Sequence, residues 1–217
     1  IIAAKGAPEA IMRQSNLSIA ELHAFEKQSM EYARQGYRVL GVGKSSWKEK
    51  HWPVSQEEFE FEFLGLIVFQ DPPKENIIET IKTFNNAGIT VKMITGDYAE
   101  TALAIADQVK LSHNGEVLTG KDVLHLSATA LQQKVKAVNI YARMFPEAKL
   151  KVIEALKDEG EIVAMTGDGV NDGPALKAAH IGIAMGLRGS EVAKNAASLI
   201  LNDDDLSHMT DAVALGR

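Results

Sequence analysis

Met165-Thr166-Gly167-Asp168-Gly169-Val170-Asn171-Asp172 follows the apolar run Ile162-Val163-Ala164 and precedes a helically patterned segment. An apolar run that breaks into a glycine-rich turn and then a helix is a strand-to-helix junction of an α/β sheet. In such sheets, ligands bind beyond the carboxyl ends of the strands. Gly167 and Gly169 permit a tight turn and close backbone approach to a ligand. Asp168, Asn171 and Asp172 add two carboxylates and an amide. That oxygen-rich cluster suits Mg²⁺, which takes one or two carboxylates and keeps water and phosphate as its other ligands. A turn that only capped a helix, with Asp172 as N-cap, would need one aspartate rather than this density.

Outward from that turn, short apolar runs alternate with amphipathic segments from Phe61 onward. The pattern predicts strands at 61–69, 89–94, 138–143, 161–166, 181–185 and 198–201. It predicts helices at 74–87, 98–109, 147–158, 173–179, 189–196 and 205–215, with no element assigned over 110–137. Pro146 stands where a helix can start, since its missing N–H is unsatisfied there in any case. Strands alternating with helices imply right-handed crossovers and a mostly parallel sheet. Thr95-Gly96-Asp97 ends a second strand and opens a helix. Thr95 can offer a hydroxyl and a backbone N–H to a phosphate oxygen, whereas Asp97 and Glu100 can form a capping pair. The repeat of the triplet at 166–168 favours the phosphate reading. Lys149, one turn into the helix after Pro146, can reach a phosphate as a point charge. Arg143, at the end of the preceding strand, is a less well placed cation.

Residues 1–62 read differently. Ile1–Ala4 is a strand end, and Lys5-Gly6-Ala7-Pro8-Glu9 is a surface turn able to present an ammonium. Ser18-Ile19-Ala20-Glu21 is a capping box opening a helix that Gly36 stops. Tyr37–Val42 is a strand, and 44–60, with Trp47, Trp52 and Pro53, is a loop. Gly43-Lys44-Ser45 is similar to the end of a phosphate-binding loop, but that motif needs a glycine where Arg38 stands, so an ordinary loop is expected. Asp203-Asp204-Asp205 lacks the alternating ligands of a calcium loop and reads as a solvated helix start.

The 217 residues are 46% hydrophobic and 24% charged, an ordinary globular composition. A net charge of −6 disfavours non-specific nucleic-acid binding and anionic membrane surfaces. No cysteine is present, which excludes disulfides, thiol nucleophiles and cysteine-ligated metals. No apolar run approaches the ~20 residues of a membrane helix. The chain opens on the apolar pair Ile1-Ile2, as if in mid-strand, so a piece of a longer protein is expected.

Lys5–Glu9, Asp71-Pro72-Pro73, Met93–Asp97 and Met165–Asp172 stand in the order found in P-type cation-transporting ATPases, which the whole chain resembles. The likeness continues through Pro174-Ala175-Leu176-Lys177 and Ile181–Gly186. The first two motifs together resemble the calcium-pump-like subfamily. The resemblance implies an α/β fold: a Rossmann-like, haloacid-dehalogenase-type parallel sheet flanked by helices. A partial α+β nucleotide-binding domain would precede it. Residues 1–62 would be the C-terminal part of that nucleotide domain, 63–73 a hinge strand and 74–217 the phosphorylation domain. It implies ATP and Mg²⁺. Lys5, beside Gly6, would lie near ATP, and Arg38 would contact its phosphates. Arg143 joins them in the expected cofactor-binding set. Thr95, Gly96 and Asp97 would form the phosphate-contacting loop. Lys149 would neutralise the transferred phosphoryl group, and Asp168 would ligate Mg²⁺ with Asn171 and Asp172 in support. Asp71 and the prolines would form the hinge.

The departures matter equally. The family's Asp-Lys-Thr-Gly-Thr motif, with the phosphorylated aspartate, does not occur in this chain. The resemblance places it upstream on the central strand. The rest of the pump, membrane helices and actuator domain, would be partners supplied by a longer chain integral to a membrane. The piece alone is expected to be soluble and cytoplasmic, without ATP turnover. Its sheet is expected to rearrange, borrow a strand or form a swapped dimer. Gly173 stands where the family usually has alanine, and His180 reads as a core or surface residue. Two other functions stay open: a free-standing haloacid-dehalogenase-type phosphatase, and a non-catalytic nucleotide- or phosphate-binding module.

Overall fold

The computed structural model describes residues 1–47, 51–55, 58–70 and 72–216. It divides into two compact units, Ile1–Pro72 and Pro73–Arg217. In the first, β1 (Ile2–Gly6), α1 (Pro8–Arg13), α2 (Ile19–Arg34), β2 (Arg38–Ser45) and β3 (Glu62–Phe69) follow in order. The strands form an antiparallel sheet, β1-β2-β3. Alternation along β2 buries Val39, Gly41 and Gly43 on the face that α1 covers. The approach is close: a Cβ on Gly41 would stand 3.0 Å from the Pro8 Cα. On the same face, Phe25 of α2 meets Phe63 of β3 edge-on, with centroids 4.8 Å apart. The Ser18–Glu21 capping box is present, and Gly36 past the helix end takes φ +84°.

Two readings of this unit change. Lys5 and Gly6 belong to β1 and Pro8 starts α1, so the expected five-residue turn narrows to Ala7. Gly43-Lys44-Ser45 is strand rather than loop, because pairing with both neighbours (Ile2 opposite Ser45, Glu62 opposite Lys44) carries β2 beyond its apolar residues. Residues 48–50 and 56–57 of the expected loop, and Asp71 of the expected hinge, lie outside the described residues.

The second unit holds α3 (Ile77–Asn86), β4 (Met93–Ile94), α4 (Ala99–Gln108), β5 (Val117–Thr119), α5 (Gly120–His125), α6 (Ala128–Ala137) and β6 (Ile140–Ala142). It continues with α7 (Pro146–Asp158), β7 (Ala164–Gly167), a 3₁₀ turn (Val170–Asp172), α8 (Gly173–Ala178), β8 (Ile181–Met185), α9 (Glu191–Ala196), β9 (Leu199–Leu201) and α10 (His208–Gly216). All strand pairs are parallel. They form two sheets, β4-β6-β5 and β7-β8-β9, rather than one. β4 and β7 are each the end strand of a sheet. One core serves both: Tyr141 of β6, Val152 and Ile153 of α7, Met165 of β7 and Ala184 of β8 share a cluster that Ile94 of β4 packs against. Ile140 and Ala142, on the other face of β6, pack with Ile81, Ala102 and Ala106.

Three elements over 110–137 were not expected: β5, α5 and α6. Their signals are short but physical. Thr119 and Asp122 form a capping box, the Ser127 side chain accepts the Ala130 N–H, and Val123, Leu131 and Val135 are buried at helical spacing. β4 is shorter than the expected 89–94. α10 begins at His208, not 205. The reading of 203–205 as a solvated helix start fails for Asp204, which is 6% exposed with φ +58°. Among the described residues, no helix is long and apolar enough to cross a membrane.

Candidate functional site

β7 delivers Thr166 and Gly167 to the carboxyl end of its sheet, and the chain turns at once into the 3₁₀ turn. Asp172 organises that turn. Its Oδ2 accepts the N–H groups of Gly169 at 3.0 Å and Asp168 at 3.3 Å, and its Oδ1 accepts Lys149 Nζ at 2.6 Å. Gly167 is needed for this closure, because a Cβ there would stand 2.5 Å from the Asp172 Cβ. The Lys149–Asp172 pair is enclosed, with side chains 13% and 10% exposed. Lys149 reaches it from the first turn of α7, which Pro146 opens. Asp168 and Asn171, by contrast, are exposed. The Asp168 carboxylate has no hydrogen bond or ion pair with the described residues, although its main chain is held at both ends: the N–H by Asp172 and the carbonyl by Ser190 N–H at 2.8 Å.

An open carboxylate on a hydrogen-bonded turn, with an enclosed ammonium on the same Asp172, fits a divalent cation that completes its shell with water and phosphate oxygens. Among the described residues, no group of three or more His, Cys, Asp and Glu side chains forms an all-protein cage.

The second triplet is built otherwise. Thr95 Oγ1 donates to Asp97 Oδ2 at 3.0 Å and accepts the Asp97 N–H at 3.1 Å. The helix behind it is capped at Tyr98, without a side-chain cap bond, rather than at Asp97. Arg143 N–H donates to the Asp97 carbonyl and Met144 N–H to the Thr95 carbonyl, each at 2.9 Å. Arg143 takes φ +51°, and its guanidinium lies 4.2 Å from the centre of the Tyr98 ring. Burial holds its pKa below the ordinary arginine value. The segment 143–149 therefore joins the two turns: its start is bonded to Thr95 and Asp97, and Lys149 to Asp172. Gly96 is exposed between them.

Lys5, Gly6 and Arg38 lie in the first unit. Lys5 is paired opposite Val42, which puts it on the same sheet face as Arg38. That face is the one α1 leaves open; Leu40, Ile67 and Phe69 share it, and Ile67 and Phe69 are exposed. His180 accepts the Val163 N–H on Nδ1 at 3.1 Å, and so fastens the strand leading into the site. Ser190 was not foreseen. Its signal is the tight Gly186-Leu187-Arg188-Gly189 run directly after an apolar strand.

A family model of haloacid dehalogenase-like hydrolases matches residues 4–180. A calcium-transporting ATPase of Bacillus subtilis is 40% identical over 228 aligned residues, covering 100% of this chain and 26% of that protein. A probable cation-transporting ATPase F of Mycobacterium tuberculosis is 43% identical over 190 residues, 84% of this chain and 21% of that protein. A calcium-transporting ATPase type 2C member 2 of Mus musculus is 46% identical over 156 residues, 71% of this chain and 16% of that protein. The chain thus spans about a quarter, or less, of the relatives it matches.

Proposed function

The chain belongs to the haloacid dehalogenase-like hydrolase family, and from that premise we propose that it is the ATP-binding and phosphoryl-transfer portion of a P-type, calcium-pump-like cation ATPase. The observation that carries this reading is the enclosed Lys149–Asp172 pair beside the open Asp168 carboxylate. In phosphoryl transfer the protein positions groups and stabilises charge, and little else is asked of it. Lys149 offers a fixed ammonium to the transferred phosphoryl group, and Asp172 holds it in place. Asp168 would hold Mg²⁺, with Asn171 beside it. When bound, the ion neutralises phosphate charge. In the Thr95-Gly96-Asp97 turn the Thr95 N–H is taken by the Tyr141 carbonyl and the Asp97 N–H by Thr95 Oγ1, so a phosphate oxygen would meet the Gly96 N–H and, once it turns from Asp97, the Thr95 hydroxyl. On the open sheet face of the first unit, Lys5 and Arg38 receive the nucleotide, with Leu40 offering apolar contact; Gly6 follows Lys5 in β1 but faces α1, opposite Gly41. Residues 1–62 act as part of a nucleotide domain, 63–73 as the hinge and 74–217 as the phosphorylation domain.

The accepting aspartate is not among these 217 residues on this reading, since no Asp-Lys-Thr-Gly-Thr occurs in them. It would come from a longer chain, as would the membrane helices that select the ion. The end strands β4 and β7 support that reading, because each leaves one row of backbone groups unpaired in its sheet. In its absence, a swapped dimer could supply the pairing. Calorimetric titration with Mg-ATP tests the reading: binding should be weakened by Lys5→Ala and by Arg38→Ala. Acid-stable, hydroxylamine-sensitive label from γ-labelled ATP on this chain would overturn the absent acceptor. Hydrolysis of p-nitrophenyl phosphate, abolished by Asp168→Asn, would instead identify a free-standing phosphatase.

A further inference from the structure

Away from the phosphate site, Asp204 is a side chain with no role so far. It is buried, and its backbone adopts the left-handed conformation that residues with a Cβ take at a cost. Both carboxylate oxygens are used: Oδ1 accepts Leu187 N–H at 2.9 Å and Oδ2 accepts Arg188 N–H at 3.0 Å. Its carbonyl accepts Lys74 Nζ at 2.5 Å. A carboxylate that takes two adjacent N–H groups makes strong, directional bonds.

The loop it grips has little freedom. A Cβ on Gly186 would stand 2.6 Å from the Leu201 carbonyl oxygen, and one on Gly189 1.9 Å from that of Met185. Gly186 N–H donates to the Leu201 carbonyl at 2.7 Å. The next residue, Ser190, caps α9 with its side chain and donates its N–H to the Asp168 carbonyl at 2.8 Å. A continuous set of hydrogen bonds and close backbone contacts therefore runs from Asp204 through residues 187–190 to the main chain of Asp168.

We propose that Asp204 is a positioning residue for the phosphate site, fixing loop 186–190 and, through the Ser190 N–H, the main chain of Asp168. Its consequence for a bound ion rests on the reading of Asp168 as the Mg²⁺ ligand. A residue that only anchored the 203–207 segment would not reach Ser190.

The test uses the 217-residue chain. Asp204→Asn keeps the volume but turns a donor toward a backbone N–H. Amide hydrogen exchange should show at least about tenfold lower protection at Ser190 as well as at Leu187 and Arg188, the mark of a loosened loop. Affinity for Mn²⁺, measured by electron paramagnetic resonance as the probe for Mg²⁺, should fall about tenfold, as for other groups that orient a metal ligand. Asp203→Asn, at a surface aspartate that meets His208, should change neither.

Ser190→Pro removes the N–H that reaches Asp168, together with the hydroxyl that caps α9, and leaves the Asp204 bonds in place; the backbone accepts it because Ser190 already has φ −66°. It should reproduce the Mn²⁺ loss with Leu187 and Arg188 still protected, beyond any effect of Ser190→Ala on the cap. It also serves if Asp204→Asn fails to fold. Unchanged Ser190 protection in Asp204→Asn, or unchanged Mn²⁺ affinity in Ser190→Pro, overturns the proposal. No Mn²⁺ binding, or binding indifferent to Asp168→Asn, overturns the metal reading instead, and Ser190 exchange still decides the positioning role.

Discussion

Thr95-Gly96-Asp97 and Thr166-Gly167-Asp168 are the same triplet at the ends of two parallel strands, yet they are built to different ends. In the first, the aspartate is occupied by its own threonine: Thr95 Oγ1 bonds the Asp97 carboxylate and accepts its N–H. In the second, backbone holding passes to a residue further on. Asp172 takes the two N–H groups and the Lys149 ammonium, which leaves the Asp168 carboxylate open. The residues just after each triplet therefore decide its chemistry. An aspartate four residues after Asp168 takes those bonds and leaves that carboxylate open. Tyr98 after Asp97 instead provides a ring against Arg143.

Four measurements probe the two junctions, and the first two test that contrast directly. The largest effect is expected for Asp172→Ala, which strands the enclosed Lys149 charge and two backbone N–H groups. Urea denaturation of the second unit should show a loss of about 3–5 kcal/mol. Asp97→Ala, which removes the carboxylate that Thr95 donates to, should cost less, about 1.5–3 kcal/mol, as for a hydrogen bond to a charged group. Equal losses would erase the distinction. Next come the two middle glycines. Gly167→Ala drives a Cβ against Asp172 and should cost about 1–3 kcal/mol. A Cβ on Gly96 meets nothing closer than the Met144 carbonyl oxygen at 3.9 Å, so Gly96→Ala should change stability by no more than about 0.5 kcal/mol.

A third measurement uses pH. Lys92, just before β4, donates to the Val138 carbonyl and to Asn139 Oδ1, and burial lowers its pKa to about 8, against a raising influence of Glu161. The unfolded chain, with an ordinary lysine pKa near 10.4, binds the extra proton between those values. Stability of the second unit should therefore rise from about pH 8 to about pH 10.4, and Lys92→Met should flatten that rise in thermal melts. A fourth measurement, also of small effect, is Gly173→Ala. Its new methyl would meet Val192 at 3.4 Å, an ordinary contact, so helix propensity should stabilise the protein by about 0.5–1 kcal/mol.

Several features were legible because their causes are local. The Ser18–Glu21 capping box, the strand and turn around 164–172 and the start of α7 at Pro146 depend on residues within one turn of each other. β5, α5 and α6 were missed for a different reason. β5 is three residues long, and the short helices after it carry their signal in single caps, Thr119 and Ser127, rather than in a long apolar stripe. The division of the parallel strands between two sheets has no local cause at all, since pairing depends on partners far away in sequence.

Sequence alone thus determined the strand-turn-helix junctions and the side chains they carry: two Thr-Gly-Asp ends, a lysine one turn into a helix and an oxygen-rich turn. Hydrogen bonds and dihedral preferences within a few residues suffice for those. Tertiary structure alone decided which aspartate stays open and which is consumed. The Lys149–Asp172 pair joins positions 23 residues apart, and the Asp204 bonds to Leu187 and Arg188 span 17 and 16. A carboxylate's role depends on the donors brought to it, and only packing of α7, β7 and the 186–190 loop into one unit brings them.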